Sequence, residues 1–302
     1  MWFRLRAGPA VAALNRMVLA ELGDEPCEVI WIDKGVCLWP ETIRRCRKLA
    51  KCLVYYTPDT SFLANSSRFF DATISLYDLV VTTKSLEVQQ FEKRIPQDRL
   101  LLVTQSFDPR IHRPTCGFEE KHDGAVFIGL CEPDRERCVD RLLGAGVPVR
   151  IGGCGWDRFV ERRKKDPLLH FAGSKVFGEH YVKALSSAQI GLGLLTKRFP
   201  ELHTTRTLEI PACGTALATE RNTETKQIFS DDEAIFFADY RDLASQVVEL
   251  LSMPERLKGI AASGHRKVWS GDFTNADMVR RVLKVAGVSF PATAAEYPET
   301  TD

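Results

Sequence analysis

The chain alternates between short runs of β-branched or aromatic residues and amphipathic segments with helical spacing. This alternation is typical of βα units arranged around a parallel sheet. Before residue 106 the pattern predicts four strands, near EVIWID, CLVYYT, LVVTT and LLLVTQ. After the turn-rich segment FDPRIHRPTCG it predicts six more strands, at AVFIG, VPVRIGG, LLHFAG, QIGLGLL, TALAT and AIFFA.

The amphipathic segments predict the helices between these strands. In the first part of the chain they lie after Trp39, around Phe62 to Phe70, and from Ser85 to Lys93, where Ser85 would be the N-cap. In the second part they begin at Pro133, Gly178, Thr205, Thr223 and Tyr240, and two more run from Pro254 to Trp269 and from Asn275 to Val285. The chain also opens with a helical pattern, where a doubly wound domain normally opens with a strand. Either the start is misassigned and a first strand is missing, or the protein has dispensed with that strand.

The length of 302 residues exceeds that of one ordinary domain, so we expect two. The prolines and glycine of FDPRIHRPTCG interrupt regular structure and mark the boundary. The prediction is an N-terminal domain over residues 1–108, a C-terminal domain over 109–288, and a flexible polar tail over 289–302.

Composition narrows the functional classes. The 41 basic and 40 acidic side chains nearly cancel, so the protein has no overall field that would attract nucleic acid, and the basic run from Arg162 to Lys165 is interpreted as the solvated face of a helix. No apolar run is long enough for a signal peptide or membrane span. The nine cysteines include no CxxC pair, which indicates free thiols and a cytoplasmic protein. Six scattered histidines without an HxxxH pair predict no catalytic metal.

The segment from Phe199 to Arg221, FPELHTTRTLEIPACGTALATER, carries the densest candidate chemistry. Thr204 and Thr205 lead into a helix whose free N–H groups could hold an anion, and Arg206 adds a guanidinium suited to phosphate. Glu209, about one turn into that helix, could accept hydrogen bonds from vicinal hydroxyls such as those of a ribose. The alternative is that TTRTLEIPACG is only a capped helix with a glycine stop.

These residues also carry a family resemblance. HTTRTLEIPACG, together with AVFIGLCEPDRERC, GEHYVKALSSAQIGLGLL, VIWIDKGVCLWPETIRR, LVYYTPD and SLYDLVVTTKS, resembles the CgeB-like (spore maturation protein type) glycosyltransferases. The resemblance runs from about Arg6 to Val285. It implies the α/β GT-B fold, in which two Rossmann-like, doubly wound domains face each other across a cleft and the C-terminal domain binds a nucleotide-sugar.

The resemblance also implies roles for individual residues. In retaining GT-B enzymes with a two-glutamate motif, the first glutamate lies near the donor sugar and the second binds the ribose, which here correspond to Glu201 and Glu209. His203 lies between them and is expected in the donor site. The glycine and phenylalanine that usually follow the first glutamate are absent from this sequence.

Three further strand ends should lie near the same ligand, because ligands of open α/β sheets bind beyond the carboxyl ends of the strands. Gly129 would let the backbone approach a diphosphate, which Arg135 could reach; the alternative is a plain strand-to-helix turn with a solvated arginine. Phe177, or the backbone beside it, could border a nucleobase, and Glu220 would lie near the donor sugar. GGCGW, from Gly152 to Trp156, lacks the spacing of a dinucleotide fingerprint and is interpreted as a turn.

In the N-terminal domain, Asp59 follows a strand and is a candidate acid or base on the acceptor side. The alternative is that Pro58 and Asp59 form a turn and cap the next helix. The candidate catalytic residues are therefore Glu201, Asp59 and Arg206.

The leading hypothesis is a glycosyltransferase, retaining rather than inverting, that moves a hexose from a nucleoside-diphosphate sugar to an unidentified glycan, protein or small molecule. It would need no cofactor, metal or nucleic acid. The alternative is a catalytically inactive GT-B protein that binds a nucleotide or glycan. An epimerase on the same fold would need acid and base residues around the sugar that the sequence does not identify.

Overall fold

The computed structural model describes residues 7–288, apart from the side chain of Asp123. The chain forms two compact units. Of the described residues, the first unit contains 7–104 and 278–288, and the second contains Gln105–Asp277.

The first unit is built on a four-stranded parallel sheet with the order β1-β2-β3-β4. Its strands are β1 (Cys27–Asp33), β2 (Ala50–Thr57), β3 (Leu79–Thr82) and β4 (Leu100–Leu102). Its helices are α1 (Pro9–Leu22), α2 (Pro40–Leu49), α3 (Arg68–Asp71) and α4 (Val88–Glu92), with 3₁₀ turns at Ile74–Leu76, Ser85–Glu87 and Gln97–Arg99. Its strands follow one another in chain order, so the described part of this sheet contains no reversal of strand order.

Two details of the helix predictions in this unit are wrong, although the helical segment predicted from Ser85 to Lys93 is present. Residues 61–65 form turns and α3 covers only Arg68–Asp71, because the buried carboxylate of Glu87 accepts hydrogen bonds from the amides of Ser61 and Phe62, 2.7 and 2.8 Å away. Ser85 does not cap a helix; it begins a 3₁₀ turn whose N-cap residue is Lys84. Phe62, Phe70 and Phe91 form an aromatic cluster, and the eight-residue spacing of Phe62 and Phe70 resembles that of an apolar helix face.

The second unit is built on a six-stranded parallel sheet with the order β10-β9-β8-β5-β6-β7. Its strands are β5 (Asp123–Ile128), β6 (Val149–Gly152), β7 (Leu169–Phe171), β8 (Ala188–Gly193), β9 (Ala216–Glu220) and β10 (Ile235–Phe237). The chain runs outward from β5 to β7 and then returns to add β8 beside β5, which is the strand order of a Rossmann sheet. The point of reversal therefore lies between β5 and β8.

Helices cover both faces of this sheet, so its strands read as continuous apolar runs. They are α5 (Pro133–Gly144), α6 (Asp157–Arg162), α7 (Gly178–Ser186), α8 (Arg206–Ala212), α9 (Thr223–Ile228), α10 (Tyr240–Leu251) and α11 (Pro254–Ser270). One core cluster packs α5, α10 and α11 against one face of the sheet, and a second packs α7 and α8 against the other face.

All ten predicted strands are present. The last helix, α12 (Asn275–Val285), crosses from one unit to the other. We expected it to belong wholly to the C-terminal domain, but Met278 and Val282 pack in a cluster with Val54 and Val81 of the first unit. The division between the units falls after Thr104, compared with the predicted boundary after residue 108. The predicted tail, residues 289–302, lies outside the described residues.

Other sequence-based expectations concern spans, thiols and metals. None of the described helices is long and apolar enough to cross a bilayer. The nine cysteines all fall within residues 7–288 and all are free thiols. Over the same residues, no three His, Cys, Asp or Glu side chains are grouped in a way that would hold a metal ion.

Candidate functional site

A pocket of about 430 Å³ lies at the carboxyl edge of the second sheet. Its walls come from the loops after β5, β6 and β7, from the start of α7, and from α8, which follows β8. It is lined by His112, Ile128, Gly129, Leu130, Gly153, Cys154, Ser174, Val176, Phe177, Gly178, Tyr181, Arg206 and Glu209. The pocket therefore opens where the strand order reverses, which is where ligands of such sheets bind.

Backbone hydrogen bonds hold the first three loops together beyond the ends of their strands. The amide of Gly129 donates to Gly152 O, and the amide of Gly153 donates to Gly173 O, both at 2.9 Å. Trp156 Nε1 donates to Gly129 O, also at 2.9 Å. Gly153 has φ +114°, and a Cβ there would lie 2.3 Å from Gly129 O, so only glycine fits. The floor of the pocket is thus bare, fixed backbone.

Arg206, the first residue of α8, brings the positive charge of the pocket. It makes no hydrogen bond or ion pair with any residue that the structure describes, and its buried Nε has no acceptor. Its guanidinium lies over the Phe127 ring, 5.6 Å from the centroid, a cation–π contact that fixes the group without using its N–H donors. Arg206 is therefore held in place with its donors available to an anion.

Glu209 lies on the same helix and is fixed by a hydrogen bond. Tyr181 Oη donates to Glu209 Oε2 at 2.6 Å, and His112 Nε2 lies 3.7 Å from Glu209 Oε1. The side chains of His112 and Glu209 are 13% and 14% exposed, so this carboxylate faces the pocket and not bulk solvent. Burial raises the pKa of Tyr181 well above its usual value, and the neighbouring Glu209 carboxylate raises it further, so the phenol stays a donor.

Phe177 forms the outer wall. It is 74% exposed although it is a large apolar side chain, and it precedes Gly178, whose φ of +55° starts α7. An aromatic side chain exposed at the rim of a pocket provides a flat surface for a ring system.

Five predicted donor-site residues lie outside the pocket lining: Arg135, His203, Thr204, Thr205 and Glu220. His203 is 4% exposed, accepts from the Gln105 amide at Nε2 (3.1 Å), and contacts Glu224 Oε2 through Nδ1 (2.5 Å), so both ring nitrogens have partners within the unit. Arg135 is buried, and its Nη atoms donate to Leu130 O and Leu194 O. Glu220 forms an ion pair with Lys197 at 2.6 Å.

Arg135 supports the pocket from behind. Its guanidinium lies 5.2 Å from the centroid of the same Phe127 ring that Arg206 contacts. Burial lowers the pKa of Arg135, Arg206 lowers it further, and Glu132 opposes the shift. The structure therefore agrees with neither alternative for this residue, because Arg135 is buried and does not line the pocket.

The loop before α8 carries the remaining predicted residues. The Thr204 amide donates to Thr207 Oγ1 at 3.2 Å, and Thr204 O accepts from the Thr207 amide, so this residue closes the first turn of the helix. Thr205 is the N-cap residue and makes no side-chain capping bond. Glu201 is half-buried and is not among the lining residues. Since α8 has only seven residues, its dipole is a minor contribution beside the charge of Arg206.

Buried polar groups without hydrogen-bond partners concentrate near this edge. Among the described residues they are Arg135 Nε, Thr204 Oγ1, Arg206 Nε, Thr219 Oγ1 and Tyr240 Oη. Each of the five lies at the carboxyl end of a strand of the second sheet or in the segment that follows one. Buried polar groups are nearly always paired, and of these five residues Arg206 lines the pocket, where a ligand can reach its guanidinium.

In the first unit, Asp59 follows β2 and lies at the carboxyl edge of that sheet. Its Oδ2 pairs with Lys34 Nζ at 2.5 Å and lies 3.4 Å from Asn65 Nδ2. Lys34 has the left-handed φ of +61°, which is uncommon for a lysine. Burial raises the pKa of the adjacent Asp33, an effect that Lys34 opposes. Asp59 is not an N-cap in this structure.

Sequence reasoning missed several residues of the pocket. Gly153 and Cys154 belong to GGCGW, which is interpreted from the sequence as a turn. The position of this segment directly after a predicted strand could have identified it as part of the site. His112 lies in the segment interpreted as a domain boundary, and Tyr181 in an ordinary amphipathic pattern. Neither of these two carried a sequence signal.

Comparisons with known proteins agree with the geometry. Residues 135–284 match the family described as Glycosyl transferase-like. No curated protein sequence matches the chain. Among solved structures, HepE of Anabaena, in complex with UDP-glucose, has a TM-score of 0.65 at 11% identity over 93% of this chain and 82% of that one.

Two more solved structures have similar folds. TarM has a TM-score of 0.66 at 9% identity, over 93% of this chain and 59% of its own. Sucrose-phosphate synthase of Thermosynechococcus elongatus has a TM-score of 0.57 at 12% identity, over 85% of this chain and 72% of its own. At such identities the likeness establishes the fold alone. The protein has the GT-B fold of two Rossmann-like units, and its residues 135–284 are similar to the Glycosyl transferase-like family.

Proposed function

We propose that the protein is a glycosyltransferase that binds a nucleoside-diphosphate sugar in the pocket of its second unit and transfers the sugar to an acceptor without a metal ion. The observation that carries this proposal is Arg206, a fixed guanidinium that lines the pocket and has no acceptor among the described residues. A diphosphate offers oxygens of the kind that a guanidinium binds best.

The rest of the pocket suits the other parts of such a ligand. The backbone at Gly129 and Gly153 has no side chain in the way of a diphosphate. The Glu209 carboxylate would accept from a ribose hydroxyl, and the Phe177 ring would border the base. The solved structures of HepE with UDP-glucose and with UDP support the choice of uridine nucleotides as the first ligands to test.

The chemistry requires charge stabilisation at the bond that breaks. As the bond between the sugar and the diphosphate opens, negative charge develops on the leaving phosphate oxygen. Arg206 would stabilise that charge in a partly buried site, where a guanidinium contributes more than in water. We therefore assign Arg206 to leaving-group stabilisation and keep Glu201 and Asp59 as candidate residues near the reacting sugar and the acceptor.

Finer points of the proposal rest on the sequence. The CgeB-like resemblance suggests a hexosyltransferase with retention at the anomeric carbon. The nine free thiols support the cytoplasm as its location. The acceptor is an unidentified glycan, protein or small molecule.

A second candidate is a GT-B protein that binds the nucleotide without catalysing transfer. It is favoured by one observation: Glu201, the residue expected near the donor sugar, is absent from the pocket lining. The two candidates share the donor site and differ only in turnover.

Calorimetric titration tests the shared part. UDP should bind the wild-type protein in the presence of EDTA, and uridine should bind far more weakly, because the phosphates supply the contact with Arg206. Equal affinity for UDP and uridine would refute the diphosphate site. Slow release of UDP from UDP-glucose or another UDP-sugar, abolished by Arg206→Ala, would favour the enzyme, and binding without release from any of a panel of sugars would favour the inactive protein.

A further inference from the structure

The two carboxylate oxygens of Glu209 differ in their hydrogen bonds. Oε2 accepts from Tyr181 Oη at 2.6 Å, a short, charge-assisted bond. Oε1 has no hydrogen bond among the described residues, and the nearest donor is His112 Nε2 at 3.7 Å, which is too far for a direct bond.

The protonation of His112 follows from its second nitrogen. The Asp108 amide donates to His112 Nδ1 at 3.2 Å, so Nδ1 must carry a lone pair. In the neutral imidazole the proton is then on Nε2, the nitrogen that faces Glu209 Oε1. An N–H donor and a carboxylate acceptor thus face each other across a gap at the wall of the pocket.

One hydroxyl group can bridge these two atoms if its oxygen forms a triangle with them. An oxygen about 2.8 Å from each of two atoms that are 3.7 Å apart completes an ordinary triangle of hydrogen-bonding distances. A hydroxyl can donate to Glu209 Oε1 and accept from His112 Nε2 at the same time, which neither a methylene group nor a fluorine can do.

We propose that Tyr181 is a positioning residue that fixes Oε2 of Glu209, and that Oε1 of Glu209 with Nε2 of His112 forms a paired acceptor and donor for one ribose hydroxyl of the nucleotide. This inference rests on the proposed function, since it concerns the ribose of the same ligand. It refines the expectation that the carboxylate takes two ribose hydroxyls, because Tyr181 already binds one of the two oxygens.

Discrimination between ribose and deoxyribose tests the proposal. The probes are UDP, 2′-deoxy-UDP and 3′-deoxy-UDP, titrated into the full-length protein by calorimetry. Wild type should bind one of the two deoxy analogues roughly 10- to 100-fold more weakly than UDP, since a site built around a hydroxyl leaves charged groups unpaired when the hydroxyl is missing.

Tyr181→Phe should reduce that ratio several-fold by weakening UDP while leaving the affinity for the disfavoured analogue nearly unchanged. His112→Leu should reduce it as well, and His112→Gln should restore part of it because its amide can donate in place of Nε2. Tyr55→Phe is the matched control: it also removes a tyrosine hydroxyl with a hydrogen bond, to Ser61 Oγ at 3.0 Å, but lies in the first unit. It should leave the ratio unchanged.

The outcomes separate this inference from the proposed function. If wild type binds no nucleoside diphosphate, the proposed function fails and this inference fails with it. If wild type discriminates against a deoxy analogue and Tyr181→Phe keeps the full ratio, only the positioning role is overturned. Equal weakening of all three ligands in Tyr181→Phe would indicate a merely structural residue and would also overturn it.

Discussion

The two parallel sheets end in carboxyl edges of different character. At the edge of the first sheet, charged side chains have partners within the unit: Lys34 pairs with Asp59, and Glu87 accepts from the amides of Ser61 and Phe62. At the edge of the second sheet, the Nε of Arg206 has no acceptor, and the loops below it are held by backbone hydrogen bonds and by side-chain donors from Trp156 and Arg135.

The difference shows how a parallel sheet becomes a binding site. Every such sheet brings loops together at one edge. Where the polar side chains of these loops pair with groups of the same unit, few donors or acceptors are left for a ligand. Where bare glycine backbone carries the geometry, side-chain donors remain available for a ligand. The comparison predicts that changes at the second edge affect ligand binding or loop geometry, whereas changes at the first edge have small effects on both.

The largest expected effect is that of Gly153→Ala. The alanine would have to keep φ at +114°, and its Cβ would lie 2.3 Å from Gly129 O. That oxygen belongs to the backbone and cannot move away as a side chain could. We expect a loss of about 2 to 5 kcal/mol in the free energy of unfolding, measured by urea denaturation, together with weaker UDP binding.

Gly173→Ala separates the two causes of that loss. Gly173 has φ +106° on the next loop, but its Cβ would meet nothing within 4 Å. This variant should lose only the backbone term, about 1 to 3 kcal/mol. Equal losses in the two variants would mean that the contact between the loops after β5 and β6 is not tight.

The next effect concerns binding. Arg206→Ala should weaken UDP binding by roughly 10- to 100-fold, because hydrogen bonds to a charged group contribute about 1.5 to 3 kcal/mol, and should leave uridine binding nearly unchanged. Arg137→Ala, an exposed arginine on α5, is the control and should change neither. If Arg206→Ala bound UDP with wild-type affinity, Arg206 would not be a nucleotide contact, and the comparison of the two edges would be contradicted.

Much of this architecture could be predicted from the sequence. The ten strands are short, mainly apolar runs, many of them rich in β-branched or aromatic residues, a local signal that needs no knowledge of tertiary contacts. Arg206 and Glu209 were also found, because a threonine pair, an arginine and a glutamate at the start of a helix form one continuous segment. The helix expected from Phe62 to Phe70 failed because the long-range bonds from Glu87 decide that backbone.

The rest of the pocket depends on convergence in three dimensions. His112 is 97 positions from Glu209 in the chain and Tyr181 is 28 positions away, and no spacing rule relates them. His203, by contrast, lies in the expected segment, yet its ring binds Gln105 and Glu224. Proximity in sequence therefore identified the segment but not which way each side chain would point.

The third prediction concerns the opposite, amino edge of the second sheet. Lys121 precedes β5, at the amino edge, where its buried Nζ donates to Ser186 O and to Thr215 Oγ1. Burial lowers the pKa of Lys121 to about 8, compared with 10.5 when unburied. Between these two values the unfolded chain binds more protons than the folded one, so this residue makes stability rise with pH.

Lys121 should contribute a rise of about 2 kcal/mol between pH 8 and pH 10.5, seen as the difference in pH dependence between wild type and Lys121→Met, because buried thiols such as Cys138 and Cys213, whose pKa is raised, act in the opposite sense over this range. Urea denaturation across that range measures it. Lys258→Met is the control, because Lys258 is exposed beside Glu119 and its pKa is raised, not lowered. The same pH slope in wild type and Lys121→Met would show that Lys121 is not the cause.

The smallest effect is expected at the first edge. Asp59→Asn removes the ion pair with Lys34, whose partners are 39% and 43% exposed, so the free energy of unfolding should fall by less than about 1 kcal/mol. UDP affinity should stay within twofold of wild type, since every proposed nucleotide contact belongs to the second unit.

Asp59 is nevertheless the candidate acceptor-side acid or base, so its substitution should affect transfer and not nucleotide binding. The informative measurement is therefore the ratio of transfer to UDP affinity once an acceptor is in hand: a large loss of transfer with unchanged affinity assigns Asp59 to the reaction, whereas loss of neither assigns it to the turn after β2. Weaker UDP binding in Asp59→Asn would contradict the comparison itself, because it would mean that the paired edge contributes to the nucleotide site.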